Sequence, residues 1–382
     1  MSVLRPISVA AGAEALAILP ALADALEDRS PALLPVPADD ARDRALLTTA
    51  LRAGEPIDDD VAVVVATSGT TGTPKGAMLT AVALRASAEA THNRLGGPGQ
   101  WLLALPAEHI AGLQVLVRSL IAGTTPVAIA PNFAPADLVA AIDQMDPGTR
   151  RYTAMVAAQL AKVLHHDEAT AALARLDAVL IGGGPIPAAV AEPAVAAGIN
   201  VVRTYGMSET AGGCVYDGFP LDGVRVRLDD SRILLGGPVL AKGYRNPVWP
   251  DPFAEPGWFR TDDYGLIDES GALRVLGRVD DAISTGGLTV LPQVVEAAVN
   301  THPAVAESVV FGVPDDRLGQ RVVAALVLKP GAEAPSVDDL RTHVARILDR
   351  TAAPREIHIL TRLPRRGIGK VDRRALAQRF AS

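Results

Sequence analysis

The sequence predicts an α/β protein: a large N-terminal domain of helix-covered sheets with a small β-barrel-like part, followed by a small α+β C-terminal domain. Three observations predict it. Between about residues 61 and 206, short β-branched runs alternate with Ala/Leu-rich helical stretches, the pattern of parallel strands joined by helices. After residue 220 the texture changes to short strands separated by turn residues. Beyond Asp280 it resets to a mixed unit of about 100 residues, enough for a small domain. The expected division is therefore 1–279 and 280–382.

The elements follow in order. The first sixty residues read as Ala/Leu-rich helices broken by Pro and Asp turns such as PALLPVPADD. VAVVVA (61–66) is short and β-branched enough for a buried strand. Thr80 is placed to cap the next helix, AVALRASAEATHNRL. WLLALP (101–106) precedes a helix over about 111–121, and TPVAIA (125–130) precedes FAPADLVAAIDQM. YTAMVAAQLAKVL leads into LDAVLIGGG (176–184), a strand ending in glycines, then PAAVAEPAVAAG and the strand NVVRTYG (200–206). VRVRLDDSRILLGG and ALRVLGRVDD read as short antiparallel strands. The last part reads helix PQVVEAAVNTH, strands ESVVFGVP and QRVVAALVLK, helix VDDLRTHVARIL, strand REIHIL and a basic tail.

Composition limits the function. With 49% hydrophobic and 21% charged residues the chain reads as a soluble globular protein. A net charge of −7 argues against nucleic-acid and polybasic membrane partners. The greasiest stretch, IAGLQVLVRSLIAG, is interrupted by Arg118, so no membrane span is expected. The N-terminus lacks a basic-then-apolar signal pattern, with Glu14 where the apolar region would fall. The single cysteine, Cys214, rules out an internal disulfide and suits a reducing cytoplasm. A homo-oligomer is compatible with these numbers and not demanded by them. Only five lysines stand against 31 arginines, so lysines kept at 75 and 370 suggest tasks that need an amine.

VVVATSGTTGTPKGAML (63–79) packs hydroxyls and glycines around Lys75 at the end of a buried strand. Glycines allow close backbone approach, while N–H groups, hydroxyls and an ammonium suit phosphate oxygens. The P-loop pattern G-x-x-x-x-G-K-[ST] fails, because position 74 is Pro where it needs glycine. This is a phosphate cradle of another design. Ligands of such folds collect at the carboxyl ends of strands, so three glycine-bearing strand ends are candidate walls of one cleft.

TSGTTGTPKG (67–76), TYGMSET (204–210), GWFRTDDYG (257–265) with GRVDD (277–281), and PRRGIGKVDR (364–373) occur in this order at domain-scale spacing. Together they resemble the motifs of the acyl-adenylating enzymes, the superfamily of acyl-CoA synthetases, adenylation domains and luciferases. The resemblance runs from about residue 60 to the end. EHIAGLQVLVRSLIAG, AVLIGGGPIP and LPRRGIGKVDRRAL narrow it to ligases joining an aromatic diacid to CoA. Another aryl or fatty acid, or loading of a carrier protein, remains open at this point. The chain departs from the pattern in a shortened N-terminal region, in Asp262 where glycine is usual, and in Ser284 where lysine is common.

The resemblance implies roles. Thr67, Ser68, Gly69, Thr70, Thr71, Gly72 and Lys75 would hold the ATP phosphates. Gly182, Gly183, Gly184, Thr204, Tyr205 and Gly206 would form the adenine site, with Asp263 and Arg278 at the ribose. Glu209 would ligate Mg²⁺, which prefers oxygen ligands and substrate phosphates. Lys370 would bridge the incoming carboxylate and the α-phosphate, offsetting the repulsion of two anions. His109 would sit between acid and CoA sites, with Ser208 and Arg118 at the acid. Arg118 is the candidate partner of the spectator carboxylate, because an unpaired buried guanidinium is costly. Gly286 and Gly287 would serve CoA, and Asp280 would be the hinge of a swinging C-terminal domain. The implied partners are thus ATP, CoA and an aromatic diacid.

Overall fold

The computed structural model describes residues 2–67, 73–366 and 370–381, with Arg366 and Lys370 through their backbone. It is a mixed α/β structure that divides into two compact units. One holds residues 1–227 with 234–261, the other 228–233 with 262–382.

The first unit is organised by a seven-stranded sheet. Its order is Phe219–Pro220, Gly212–Tyr216, Val201–Met207, Ala178–Gly182, Arg151–Val156, Gln100–Leu103, Val127–Ala128. The five strands from Val201–Met207 to Val127–Ala128 run parallel. Gly212–Tyr216 and Phe219–Pro220 continue the sheet antiparallel, from Thr204↔Tyr216 onward. Helices cover it as the alternation predicts, and Leu138, Ile142 and Leu160 pack with Leu102, Val179 and Ile181 in one core. Such two-sided burial explains why the strands read as continuous apolar runs rather than alternating ones.

A smaller sheet orders Arg5–Val9, Leu33–Pro37, Val61–Val65 and Ala77–Thr80. The expectation of helices alone before residue 60 is corrected here. PALLPVP supplies a strand, with Leu33, Leu34 and Val36 buried. Pro35 and Pro37 read as breakers, but the ladder from this strand to Val61–Val65 has only the pair Leu33↔Val63. Two missing N–H groups on that side therefore cost little. Helices Leu19–Leu26 and Ala41–Ala50 fill the rest.

Helix Ala81–Leu95 starts as expected, with Thr80 Oγ1 accepting from the Ala83 N–H at 3.1 Å. Helix Ile110–Ala122 lies beside it and begins against a tight loop. A Cβ on Gly112 would stand 2.2 Å from the Pro106 carbonyl oxygen and 2.7 Å from that of Leu105. Only glycine lets the helix start so close to that backbone.

In the second unit a five-stranded sheet is built on the long hairpin of Val305–Asp315 and Gly319–Leu328, with Glu356–Ile359 parallel at the side. Period-two alternation sorts its residues. Val310, Val322, Ala324 and Leu326 face helices Pro292–Val299 and Val337–Val344. Val309, Phe311, Val323 and Ala325 pack instead with Leu363 and with Leu376 of the last helix, Arg373–Arg379. Gly286 and Gly287, at φ +59° and +82°, form the two-residue turn between Ile283–Thr285 and Leu288–Val290.

Gly112→Ala should lower stability by about 1–3 kcal/mol through overpacking against main chain that cannot move aside. A urea titration measures it, and an unchanged midpoint would contradict the close approach.

Candidate active site

The site of the first unit is assembled by backbone pairing between distant segments. Residues 241–246 run antiparallel to 75–78. Met78 N–H donates to the Gly243 carbonyl (3.0 Å) and Lys242 N–H to that of Met78 (2.9 Å). Arg245 N–H reaches Gly76 (2.7 Å) and Asn246 N–H reaches Lys75 (2.9 Å). Asn246 Nδ2 adds bonds to the carbonyls of Pro74 and Ala50, both at 2.8 Å. The same segment reaches the TYGMSET turn, where Ala241 N–H donates to the Glu209 carbonyl at 2.8 Å.

This pairing brings Lys75, Tyr244 and Glu209 together. The Lys75 ammonium lies 5.2 Å from the Tyr244 ring centroid, and the Tyr244 hydroxyl donates to Glu209 Oε1 at 2.6 Å. Glu209 is buried in the short 3₁₀ turn Ser208–Thr210 that ends strand Val201–Met207. Thr67 follows strand Val61–Val65 and holds a buried hydroxyl without a partner among the described residues. Ser68, Gly69, Thr70, Thr71 and Gly72, the centre of the predicted phosphate cradle, lie outside the described residues.

Glu209 fits the Mg²⁺ role by chemistry. It is a hard oxygen donor held by the Tyr244 hydroxyl, and Mg²⁺ usually takes one or two carboxylates with the rest from phosphate and water. Among the described residues no group of three His, Cys, Asp or Glu could hold a metal alone.

The strand ends of the predicted adenine site are adjacent. Gly182 closes one strand, Gly183 (φ +81°) and Gly184 follow it, and Thr204 sits on the neighbouring parallel strand. Thr204 Oγ1 donates to the Ile181 carbonyl at 3.3 Å. Tyr205 is half-buried and Gly206 pairs with Gly213.

Helix Ile110–Ala122 carries the acid-site candidates. His109 is exposed at its N-cap, and Arg118 is buried nine residues on, about 13 Å along the axis. The helix therefore separates these two. Arg118 is 3% exposed. Its Nη2 donates to the Tyr216 hydroxyl at 3.4 Å, and its guanidinium lies over the Trp101 ring, 4.9 Å from the centroid. Its Nε is buried without a partner, and among the described residues no carboxylate pairs with it. Burial holds the guanidinium below its usual range. One helical turn earlier, Gln114 donates to the Ala211 carbonyl at 2.8 Å while its Oε1 is buried and unpaired. Ala211 follows the Glu209 turn, so this polar row runs from Glu209 towards Arg118.

In the second unit, Asp263 faces Arg278 across a hairpin. Arg278 Nη1 lies 3.7 Å from Asp263 Oδ1, and its Nε donates to Asp280 at 2.8 Å. Asp262, the departure from glycine, pairs with Arg232 at 2.7 Å and stands 3.8 Å from Arg278. The backbone of Lys370 pairs with Arg366 in a two-residue ladder. Tyr244 and Asn246 escaped the sequence reading. GYRN lies in an irregular stretch without periodicity, and only the pairing above shows what it faces.

The model of the AMP-binding enzyme family matches residues 9–244, and that of the AMP-binding enzyme C-terminal domain matches residues 294–370. The chain belongs to the AMP-binding enzyme family and is an adenylate-forming enzyme. It is 63% identical over 383 aligned residues, 99% of each chain, to a probable 2-succinylbenzoate–CoA ligase of Mycobacterium tuberculosis (strain H37Rv). It is 33% identical to the 2-succinylbenzoate–CoA ligase of Geobacillus sp. (strain WCH70), across 84% of this chain and 69% of that one. Among solved structures, it resembles o-succinylbenzoate CoA synthetase (MenE) from Bacillus subtilis in complex with the acyl-adenylate intermediate OSB-AMP. The TM-score is 0.75 at 27% identity, covering 98% of this chain and 87% of that one. The same Bacillus subtilis enzyme in complex with ATP and magnesium ion matches with a TM-score of 0.74 at 26% identity, over 97% and 89% of the chains. No helix among the described residues is long and apolar enough to cross a membrane. Cys214 is buried, its thiol pushed up to about 12 by that burial.

His92 gives this region a pH signature. Trp101 Nε1 donates to His92 Nε2 at 3.3 Å, which requires that nitrogen unprotonated. Burial, then the nearby Arg118 charge, lower the His92 pKa from 6.5 to about 4. Between these values the unfolded chain binds a proton that the native one refuses, so stability rises with pH across that window. The expected loss on acidification from pH 6.5 to 4 is about 3 kcal/mol, and His92→Gln should flatten that slope. Urea midpoints against pH would show it; equal slopes in both proteins would refute it.

Proposed function

We propose that the chain is a 2-succinylbenzoate–CoA ligase, working in two steps. The succinyl carboxylate oxygen attacks the α-phosphorus of ATP, pyrophosphate leaves, and an acyl-adenylate remains. The CoA sulfur then attacks the acyl carbon, its proton is lost, and AMP departs with the P–O bond intact. The mixed anhydride makes AMP a good leaving group, which lets a carboxylate become a thioester.

The observation that carries this acid over others is Arg118. An adenylating enzyme for a fatty or simple aryl acid has no use for a buried guanidinium without a carboxylate. An aromatic diacid brings one anion to be activated and one to be held. Arg118 supplies a charge, a free Nε and a position on the polar row that begins at Glu209. The names of the relatives at 63% and 33% identity support the same acid.

The remaining roles belong to the proposal. Thr67 and Lys75, with residues 68–72, would hold the ATP phosphates, and Glu209 would hold Mg²⁺, which offsets phosphate charge when bound. Tyr244 would orient the Glu209 carboxylate. Lys370 would meet the carboxylate and α-phosphate in the first step. Asp263 and Arg278 would serve the ribose, His109 the mouth of the acid site, and Gly286–Gly287 CoA in the second step. Asp280 would mark the functional division between 1–279 and 280–382.

Incubation with ATP, Mg²⁺, CoA and a mixture of aryl and fatty acids should yield the 2-succinylbenzoyl thioester as the main product by mass spectrometry. Preference for another acid would overturn the reading. Arg118→Ala should raise KM for 2-succinylbenzoate about 10–100-fold, the worth of a charged hydrogen bond, and KM for ATP less than about threefold. With 4-oxo-4-phenylbutyrate, which lacks the ring carboxylate, the variant and parent should converge. An equal loss on both acids would make Arg118 structural.

A further inference from the structure

The basic tail contains one arginine turned inward. Arg373 opens the last helix, Arg373–Arg379, three residues after Lys370. Its Nη2 donates to both oxygens of Glu296, at 2.8 and 2.7 Å, and its Nη1 to Asp281 Oδ2 at 3.3 Å. Both acceptors are fixed independently. Glu296 Oε1 takes the Val310 N–H at 2.8 Å, and Asp281 Oδ2 takes Gln293 Nε2 at 3.1 Å. The Arg373 and Glu296 side chains are 21% and 12% exposed, and Arg373 Nε is buried without a partner.

What this cluster holds is the base of the segment that carries Lys370. Strand Lys370–Val371 is two residues long and, among the described residues, pairs only with Arg365–Arg366. A ribbon of that size fixes little by itself. It passes directly into the helix, whose Asp372 N-cap accepts from Ala375 N–H at 3.1 Å and whose Leu376 packs against Phe311 and Leu363. Leu376, Ala377 and Phe380 seat the later turns of the helix on the sheet, with Phe380 stacked on His358 at 3.7 Å between centroids. Arg373 instead ties down its first turn, next to the strand. A planar guanidinium on a carboxylate sets direction as well as distance. Buried ion pairs are weak sources of net stability, and their best-attested use is to select one geometry.

We propose that Arg373 is a positioning residue for Lys370. Its two-nitrogen fork, Nη2 on Glu296 and Nη1 on Asp281, fixes how strand Lys370–Val371 leaves the helix and so where the Lys370 amine is presented in adenylate formation. This rests on the role given to Lys370 above.

The test separates the half-reactions in the full chain. Acid-dependent ATP–pyrophosphate exchange reports the first step, and thioester formation from supplied acyl-adenylate reports the second. Arg373→Gln should slow exchange about a hundredfold, the usual cost of misplacing a group by an ångström, with thioester formation within about threefold of the parent. Arg373→Lys keeps the charge without the fork and should restore less than about a tenth of the loss. In the Lys370→Ala background, Arg373→Gln should change the residual exchange by less than about threefold. Equal loss in both half-reactions, full rescue by lysine, or undiminished exchange would each overturn the proposal. Should Arg373→Gln not fold, Glu296→Gln breaks the same pair from the other side and is measured identically. If Lys370→Ala alone leaves exchange intact, it is the Lys370 reading that fails.

Discussion

The antiparallel pairing of residues 241–246 with 75–78 is the constraint on which the candidate site depends. Lys75 and Glu209 are 134 positions apart in the sequence; one precedes strand Ala77–Thr80 of the smaller sheet and the other follows Val201–Met207 of the seven-stranded sheet. The strand after Lys75 passes the turn of Glu209, and the segment 241–246 ties the two together. Four main-chain hydrogen bonds, from 2.7 to 3.0 Å, and the bond from Ala241 to the Glu209 carbonyl do so. Each is worth only about 0.5–1.5 kcal/mol net, but a run of them in register leaves one geometry. The Tyr244 hydroxyl then holds Glu209 Oε1 at 2.6 Å, and the Lys75 ammonium sits over the same ring. One tyrosine thus contacts both charged groups proposed for the nucleotide.

The chemistry asks two anions to meet, so the placement of cations is what the chain must get right. Three kinds of cation occur here, and their environments differ. Lys75 stands two residues before strand Ala77–Thr80, a compact ammonium suited to phosphate. Arg118 is buried over Trp101, where a desolvated cation–π contact of about 2 kcal/mol offsets part of the cost of its charge. Arg278 is shared among Asp280, Asp263 and Asp262. Burial lowers its pKa, but the hydrogen bond and charge of Asp280, helped by the other two carboxylates, raise it overall. A cation so neutralised suits hydroxyls better than phosphate.

Strand–helix alternation made the parallel sheet legible in the sequence, because two-sided burial writes itself as short apolar runs. VAVVVA, LDAVLIGGG and NVVRTYG form the strands Val61–Val65, Ala178–Gly182 and Val201–Met207. PALLPVP hid its strand because proline density there mimics a turn. Motif order marked Glu209 and Lys75 individually. Their convergence was not legible, since it depends on GYRN, an irregular segment whose meaning lies in the strand it pairs with. His109 and Arg118, nine residues and about 13 Å apart on one helix, stand at separate positions along whatever that helix lines.

The neighbours of Arg118 argue for a charge kept ready rather than a charge neutralised. A buried guanidinium needs hydrogen bonds or a counter-ion, and evolution of a stable core would supply a carboxylate. Here the polar neighbours are all neutral: the Tyr216 hydroxyl, held by Thr91 at 3.0 Å, and His92, whose Nε2 is occupied by the Trp101 N–H. His92 resists protonation partly because Arg118 is already charged. A nearby carboxylate would raise the His92 pKa and satisfy Arg118, and either change would cancel the field a second substrate anion could use. The unpaired Arg118 Nε and Gln114 Oε1 lie along the row that begins at Glu209. In the proposed reading an acid bearing a spectator carboxylate would complete that row, whereas a monoacid would leave the cation buried without a counter-ion.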